Sequence, residues 1–315
     1  MSDKDSHKAE TDLVNKIKND IAKSGFPLEV EVLNICSSRN TGRMPSIRYD
    51  YKGELREIDL VAFFEKIDER FPHRTITEMI IECKKSAEKP WVFFSSPAYS
   101  FDNVAWLLKY SSEFDFYFRE KGGVPLLPRI HPYIMDSHYG DPLLSRCISY
   151  CEAFKSTSAP SEIYRAIDSV ISYMSYAQEQ RYKLQDRFGV LSEFYVPTVV
   201  LDGRLFEARV DKDDIQITER PHVQVRTFHR GELYIIDVVT RSGFKDFFAK
   251  VNRLHRDIVR GITSMKLPTN FLSSAKARWS TEMDSFDKDG ATSMAHERAR
   301  RSAERNLVQG QSRRR

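Results

Sequence analysis

Two short stretches, "EIDLVA" at residues 57–62 and "IIECKK" at residues 80–85, hold the residue types and spacing that could do chemistry. Side chains of a strand alternate between its faces, so Ile80, Glu82 and Lys84 share one face, and Ile81 and Cys83 take the other. By the same rule Glu57, Asp59, Val61 and Phe63 share a face opposite Ile58, Leu60 and Ala62. If the two strands are neighbours, Asp59 comes close to Glu82 and Lys84. Two carboxylates in a partly dry place repel each other and lose hydration unless a cation compensates. Lys84 supplies one positive charge and a hard divalent metal would supply the rest. Carboxylate oxygens with water suit Mg²⁺, which also accepts phosphate oxygens as ligands. In this arrangement Asp59 and Glu82 hold the metal, which polarises a phosphoryl oxygen and acidifies a bound water. Lys84 orients that water, assists its deprotonation or stabilises the charge developing at phosphorus. The bland alternative is a structural ion pair at a strand end.

The surrounding pattern has to deliver those strands. "HKAETDLVNKIKNDIAKSGF" predicts a helix with Ala9, Leu13, Ile17 and Ile21 on one buried stripe, Val14 widening it and Gly25 ending it. Glu10 borders that stripe and is a third candidate carboxylate; a favourable charge in the first helical turn is the competing explanation. "PLEVEVLNI" alternates as a strand does. "SIRYDYKGELREIDLVAFFEK" predicts a hairpin turning at Lys52-Gly53, and "TITEMIIECKK" a further strand. Residues 96–123 predict a helix closed by Gly122-Gly123, and the proline-rich 124–160 region an irregular cap. A long helix is expected over 161–186. "EFYVPTVVLDGRLFEARV" reads as two strands about a turn at Asp202-Gly203, and "HVQVRTFH" and "LYIIDVVT" as two more. The last helix, "SGFKDFFAKVNRLHRDIVRGI", places Phe244, Phe247, Phe248, Val251, Leu254 and Ile258 on one stripe.

Composition bounds the rest. The chain has 315 residues, 41% hydrophobic and 30% charged, enough for a large core. It contains no apolar run long enough to span a membrane, and its polar start, "MSDKDSHKAETD", does not read as a secretory signal. Four scattered cysteines do not make a disulfide framework, so a cytoplasmic, reduced protein is expected. Cys147 and Cys151, spaced i,i+4, could share a helix face, but no second ligand pair accompanies them. Net charge is +4, and the arginines concentrate at residues 291–315, a tail that either attracts phosphate backbones or is a solvated end.

The helix with Glu10, the hairpin with "EIDLVA" and the strand ending "IIECKKS" together resemble the PD-(D/E)XK nuclease superfamily, in its Mrr-like and Holliday-junction-resolvase-like branch. The resemblance covers residues 6–95 and departs from the family pattern in having "EIDLVA" for a literal Pro-Asp. It implies an α/β fold with a restriction-endonuclease-like core, a mixed central sheet flanked by helices. Over this chain that means one domain across 1–266, with the catalytic core at 6–95, an insertion at about 97–160 and the rest of the sheet and helices at 161–266. A disordered basic tail would follow over 267–315. It also implies Asp59 as the motif aspartate, Glu82 and Lys84 as the E-x-K, Glu10 as the helix carboxylate and the Cys83 backbone carbonyl as a further metal ligand. The expected activity is Mg²⁺-dependent hydrolysis of DNA phosphodiester bonds, with Mn²⁺ able to substitute, in restriction, anti-phage defence or repair. DNA is the expected partner, with room for a homodimer or a targeting protein. A catalytically inactive nucleic-acid-binding or scaffolding member of the same fold is the alternative. Lys85 and the cationic face Lys245, Lys250, Arg253, Arg256 and Arg260 are candidates for phosphate contact, the second being otherwise a solvated helix face. Asp237 in "YIIDVVT" is a rival carboxylate without a following E-x-K, and Trp91 is either a stacking or a core residue.

Overall fold

The Lys52-Gly53 turn sets the first strand pairing. In the computed structural model these residues have φ of 56° and 82°, the left-handed pair that matches a two-residue loop to the twist of its strands. The Asp50 carboxylate accepts the Gly53 N–H at 3.0 Å and fastens the turn. It joins β1 (Thr41–Tyr51) to β2 (Glu54–Asp68), and β2 pairs antiparallel with β3 (His73–Ser95). The structure describes residues 3–38, 41–68, 73–96, 108–112, 125–135, 145–155, 161–184, 190–211, 214–229 and 231–265; side chains of 3–11, 68, 87, 135, 181–184, 190 and 211 are outside that set.

The helices are α1 (Asp3–Lys23), α2 (Phe26–Ile35), α3 (Leu126–Met135), α4 (Glu162–Leu184) and α5 (Phe244–Ser264). The remaining strands are β4 (Lys109–Ser112), β5 (Ser145–Glu152), β6 (Val190–Asp211), β7 (Asp214–Glu219), β8 (His222–His229) and β9 (Glu232–Thr240). The result is a mixed α/β protein dominated by one nine-stranded sheet. β3 runs parallel to β6 over most of its length. That pairing closes β3, β5, β8, β9 and β6 into a ring, while β1 and β2 extend outward from β3.

One core cluster joins the sheet to α2, α3 and α5, and a second joins it to α4. The stripe foreseen on α5 is buried throughout. On α4, Ile163, Ala166, Ile167, Val170, Ile171 and Met174 recur at three- and four-residue intervals and are all buried.

Several expectations are corrected. "PLEVEVLNI" is helix α2, not a strand: Pro27 occupies its first turn, and Leu28 and Val32, one helical turn apart, are buried while Val30 is 55% exposed. The α1 stripe is not buried, since Leu13 is 58% and Ile21 50% exposed. No turn occurs at Asp202-Gly203; β6 runs straight through. Gly203 serves a close approach instead, because a Cβ there would lie 2.5 Å from the Ser86 carbonyl oxygen where β3 shifts register. Within the helix expected at 96–123, the described segment is strand β4. The region expected to be an irregular cap contributes α3 and β5, and β5 is part of the ring. Cys147 and Cys151 lie on this strand, the first buried and the second exposed, and not on a helix. Residues 266–315, with the basic tail, are outside the described residues.

Candidate active site

The site lies where the β2–β3 ladder ends. The last paired rung is Leu60 opposite Ile81, so the next step along each strand brings Asp59 and Glu82 opposite each other. Regular alternation fails on β2 at this point. Ile58 and Leu60 are two residues apart, yet Ile58 packs with the α4 cluster and Leu60 with the α2–α5 cluster. The expectation that Ile58, Leu60 and Ala62 share a face is therefore corrected. The cause is visible on β1: Pro45 pairs Leu60 and Ile47 pairs Ile58, while Ser46 between them has φ 47°. The irregularity turns the Asp59 side chain into the gap between strands, where Asp59 Oδ2 accepts the Cys83 N–H at 2.7 Å. A side chain thus takes over a position that a ladder hydrogen bond would occupy.

Glu82 keeps the face foreseen for it. It points with Ile80 and Lys84 toward α4 and is 7% exposed. Lys84 Nζ donates to Glu82 Oε1 at 2.6 Å, and Ser169 Oγ on α4 donates to Oε2 at 2.9 Å. α4 is itself tied down beside Ser169: Arg56 Nη1 donates to Asp168 at 2.7 Å and to Ser172 at 2.8 Å. Burial, reinforced by the Asp59 charge, pushes the Glu82 carboxyl up to about 7 despite the contacts with Lys84 and Ser169. Asp59 is also raised, chiefly by burial, against the lowering effects of the Cys83 N–H and Lys84. Burial works against the Lys84 ammonium, but Glu82 outweighs it and holds the pKa above the ordinary value.

A further carboxylate belongs to this set. Glu29 on α2 has its pKa raised by burial and then by the negative charges of Asp59 and Glu57, with Lys84 acting in the opposite sense. It lies on α2, on the layer opposite α4, within electrostatic reach of Asp59 and Lys84. Reading α2 as a strand hid it; Pro27 just inside a helix start was the available signal. Glu10 lies on α1, but its side chain is outside the described residues.

Asp59, Glu82, Lys84 and Glu29 are thus brought into one electrostatic neighbourhood. Among the described residues, no three His, Cys, Asp or Glu side chains converge into a formed metal cage. The donors are nevertheless all hard oxygens, and all three carboxyl pKa values are raised, chiefly by burial and for Glu82 and Glu29 also by the Asp59 charge, a penalty that a divalent cation would relieve.

The other candidates lie elsewhere. Asp237 is fully buried and accepts hydrogen bonds at Oδ1 from Gln224 at 3.0 Å, with His222 Nε2 2.8 Å away, a local network of β8 and β9. Trp91 is 1% exposed and packs in the α4-side core. Lys245, Arg253, Arg256 and Arg260 are exposed on α5 and Lys250 is half-buried. They sit on the layer opposite the one that Glu82 and Lys84 face. Lys85 is exposed and its Nζ donates to the Ala22 carbonyl. Compared with known proteins, the chain matches no family model, no curated protein and no solved structure.

Proposed function

We propose that the protein is a Mg²⁺-dependent nuclease that hydrolyses phosphodiester bonds in DNA on a restriction-endonuclease-like core. The observation that carries this reading is the meeting of Asp59, Glu82 and Lys84 at the end of the β2–β3 ladder, with Glu29 beside them. The element order supports it in part: an antiparallel β1–β2–β3 meander, then, after β4, α3 and β5, helix α4 and β6 parallel to β3.

Asp59, Glu82 and the Cys83 carbonyl are the groups that would hold Mg²⁺ or Mn²⁺, with Glu29 adding negative charge within electrostatic reach. When bound, the ion would supply Lewis-acid polarisation of the phosphoryl group and charge neutralisation. The chain's own residues do the positioning. The Cys83 N–H holds Asp59 in the interstrand gap, and Ser169 and Lys84 fix the two oxygens of Glu82. Lys84 has an ammonium with further donors to orient a water for in-line attack on phosphorus and to stabilise the added negative charge. The P–O bond opposite the entering oxygen breaks, and the leaving alkoxide takes up a proton.

A second reading rests on the engagement of both Glu82 oxygens: a non-catalytic DNA-binding or scaffolding member of the same fold, in which Lys84 neutralises Glu82 permanently. Plasmid, nicked and single-stranded DNA incubated with Mg²⁺, Mn²⁺ or EDTA separates the two. The nuclease reading expects metal-dependent cutting by the wild type and a loss of at least about 100-fold in Lys84→Ala, with its melting temperature nearly unchanged. Equal turnover in the variant would remove Lys84 from catalysis, and DNA affinity without cutting by the wild type would establish the second reading.

A further inference from the structure

A groove of about 350 Å³ lies between the end of α1, the start of α2, the middle of β3 and β6 and the residue after β9. Its floor is apolar, formed by Ile21, Pro27 and Leu28. Its rim carries Lys18, Lys85 and Arg241, with Asp202 among them. Arg241 is held in place by Glu31 and by Asp202, the latter at 3.6 Å. Lys85 spends one donor on the Ala22 carbonyl and keeps two, and Lys18 has no ion-pair partner among the described residues.

The groove is next to the candidate site in sequence along two elements, on the α2 side of the sheet. Lys85 follows Lys84 on β3 and points to the other face of the strand, and Leu28 precedes Glu29 on α2. An apolar floor with cations at its lip matches a nucleotide, whose base and sugar offer flat weakly polar surface and whose phosphate offers the charge. The volume falls in the range of small-ligand pockets and suits one such unit. A peptide with acidic side chains would find the lysines but gain little from a floor this short.

We infer that this groove seats one nucleotide of the DNA strand, with Lys18 and Lys85 taking its phosphate and the Ile21–Pro27–Leu28 floor its base or sugar. The inference rests on the nuclease reading for its substrate, but affinity alone tests it. Fluorescence anisotropy with labelled single-stranded and duplex oligonucleotides in EDTA compares the wild type with Lys18→Ala/Lys85→Ala, with Ile21→Glu, and with Lys16→Ala/Lys66→Ala, which removes the same charge away from the groove. All of these positions are exposed, so folding is preserved. The groove double variant should bind single strands roughly 10-fold more weakly and show a salt slope shallower by about 1.5. Ile21→Glu should weaken binding without touching a lysine, and the control should change little. Equal effects in groove and control variants would overturn the inference while leaving the nuclease reading intact if Mn²⁺-dependent cutting persists. A groove-specific effect in a protein that never cuts would uphold the inference and remove the nuclease reading. A wild type that binds no oligonucleotide would overturn both.

Discussion

Glu82 has a carboxylate buried among strands and set opposite a second carboxylate, and its protonation is therefore a property of the fold. Its pKa moves from 4.5 to about 7 on folding. The native state thus holds a proton that the unfolded chain releases, and stability from this source is present at low pH and lost as pH rises from 4.5 to about 7. His255 acts in the opposite sense. Buried beside Thr77, it is pushed down from 6.5 to about 4, so its contribution is lost as pH falls through that window. Glu82→Gln isolates the first effect. Thermal melts of the metal-free protein from pH 5 to 8 should show the wild type losing stability relative to the variant as pH rises. Parallel curves would mean that Glu82 is ionised across the range. Glu82 and Lys84 were legible from strand alternation and charge chemistry; Asp59 was legible as their charge partner, but not its turn into the interstrand gap, because alternation fails on β2 there. Glu29 was not, because its neighbours Leu28, Val30 and Val32 alternate like a strand, and only packing shows that Leu28 and Val32 are the buried pair.

The β1–β2 hairpin is the element that delivers Asp59. Its turn was readable because Lys52-Gly53 has the composition a tight turn demands, and both residues adopt positive φ. Gly53→Ala introduces a Cβ into a left-handed conformation and should cost about 1 kcal/mol, although the space around it is open. Lys52→Asn, better suited to φ 56°, should gain roughly 0.5 kcal/mol. Chemical denaturation of the two variants checks both signs, and destabilisation by the asparagine would contradict the left-handed assignment. Elsewhere the same local reasoning misled. Asp202-Gly203 has turn composition too, but its glycine answers to a backbone 2.5 Å from where its Cβ would be, a contact with Ser86 more than a hundred residues away in sequence. Likewise β5 carries no strong period because its partners change along its length, from β3 to β8. The α1 stripe shows the converse: periodicity of 3.6 predicts a helix correctly without ensuring that its apolar face is covered.

At the scale of the whole molecule, charge is unevenly distributed along the chain, and this bears on how DNA would be held. Residues 291–315 contain seven arginines and two glutamates, a net charge of 7 − 2 = +5, whereas the entire chain carries only +4. Everything before residue 291 is therefore close to neutral, at 4 − 5 = −1. A near-neutral body with an acidic site gains little sequence-independent attraction for a polyanion, so if the chain binds DNA the arginine-rich segment would be the main source of such attraction. Each phosphate neutralised on duplex DNA releases counterions and steepens the dependence of log K on log salt by about 0.9. If half the arginines touch phosphate, removal of residues 291–315 should make that slope shallower by roughly 3 and weaken binding most at low salt. The melting temperature should stay unchanged if the segment contributes nothing to the core. Titrations of one duplex at several salt concentrations, with the full chain and with the chain ending at residue 290, measure the difference directly. An unchanged slope would transfer the burden of DNA attraction to the body, where Lys18, Lys85 and the outer face of α5 are the cations in position to carry it.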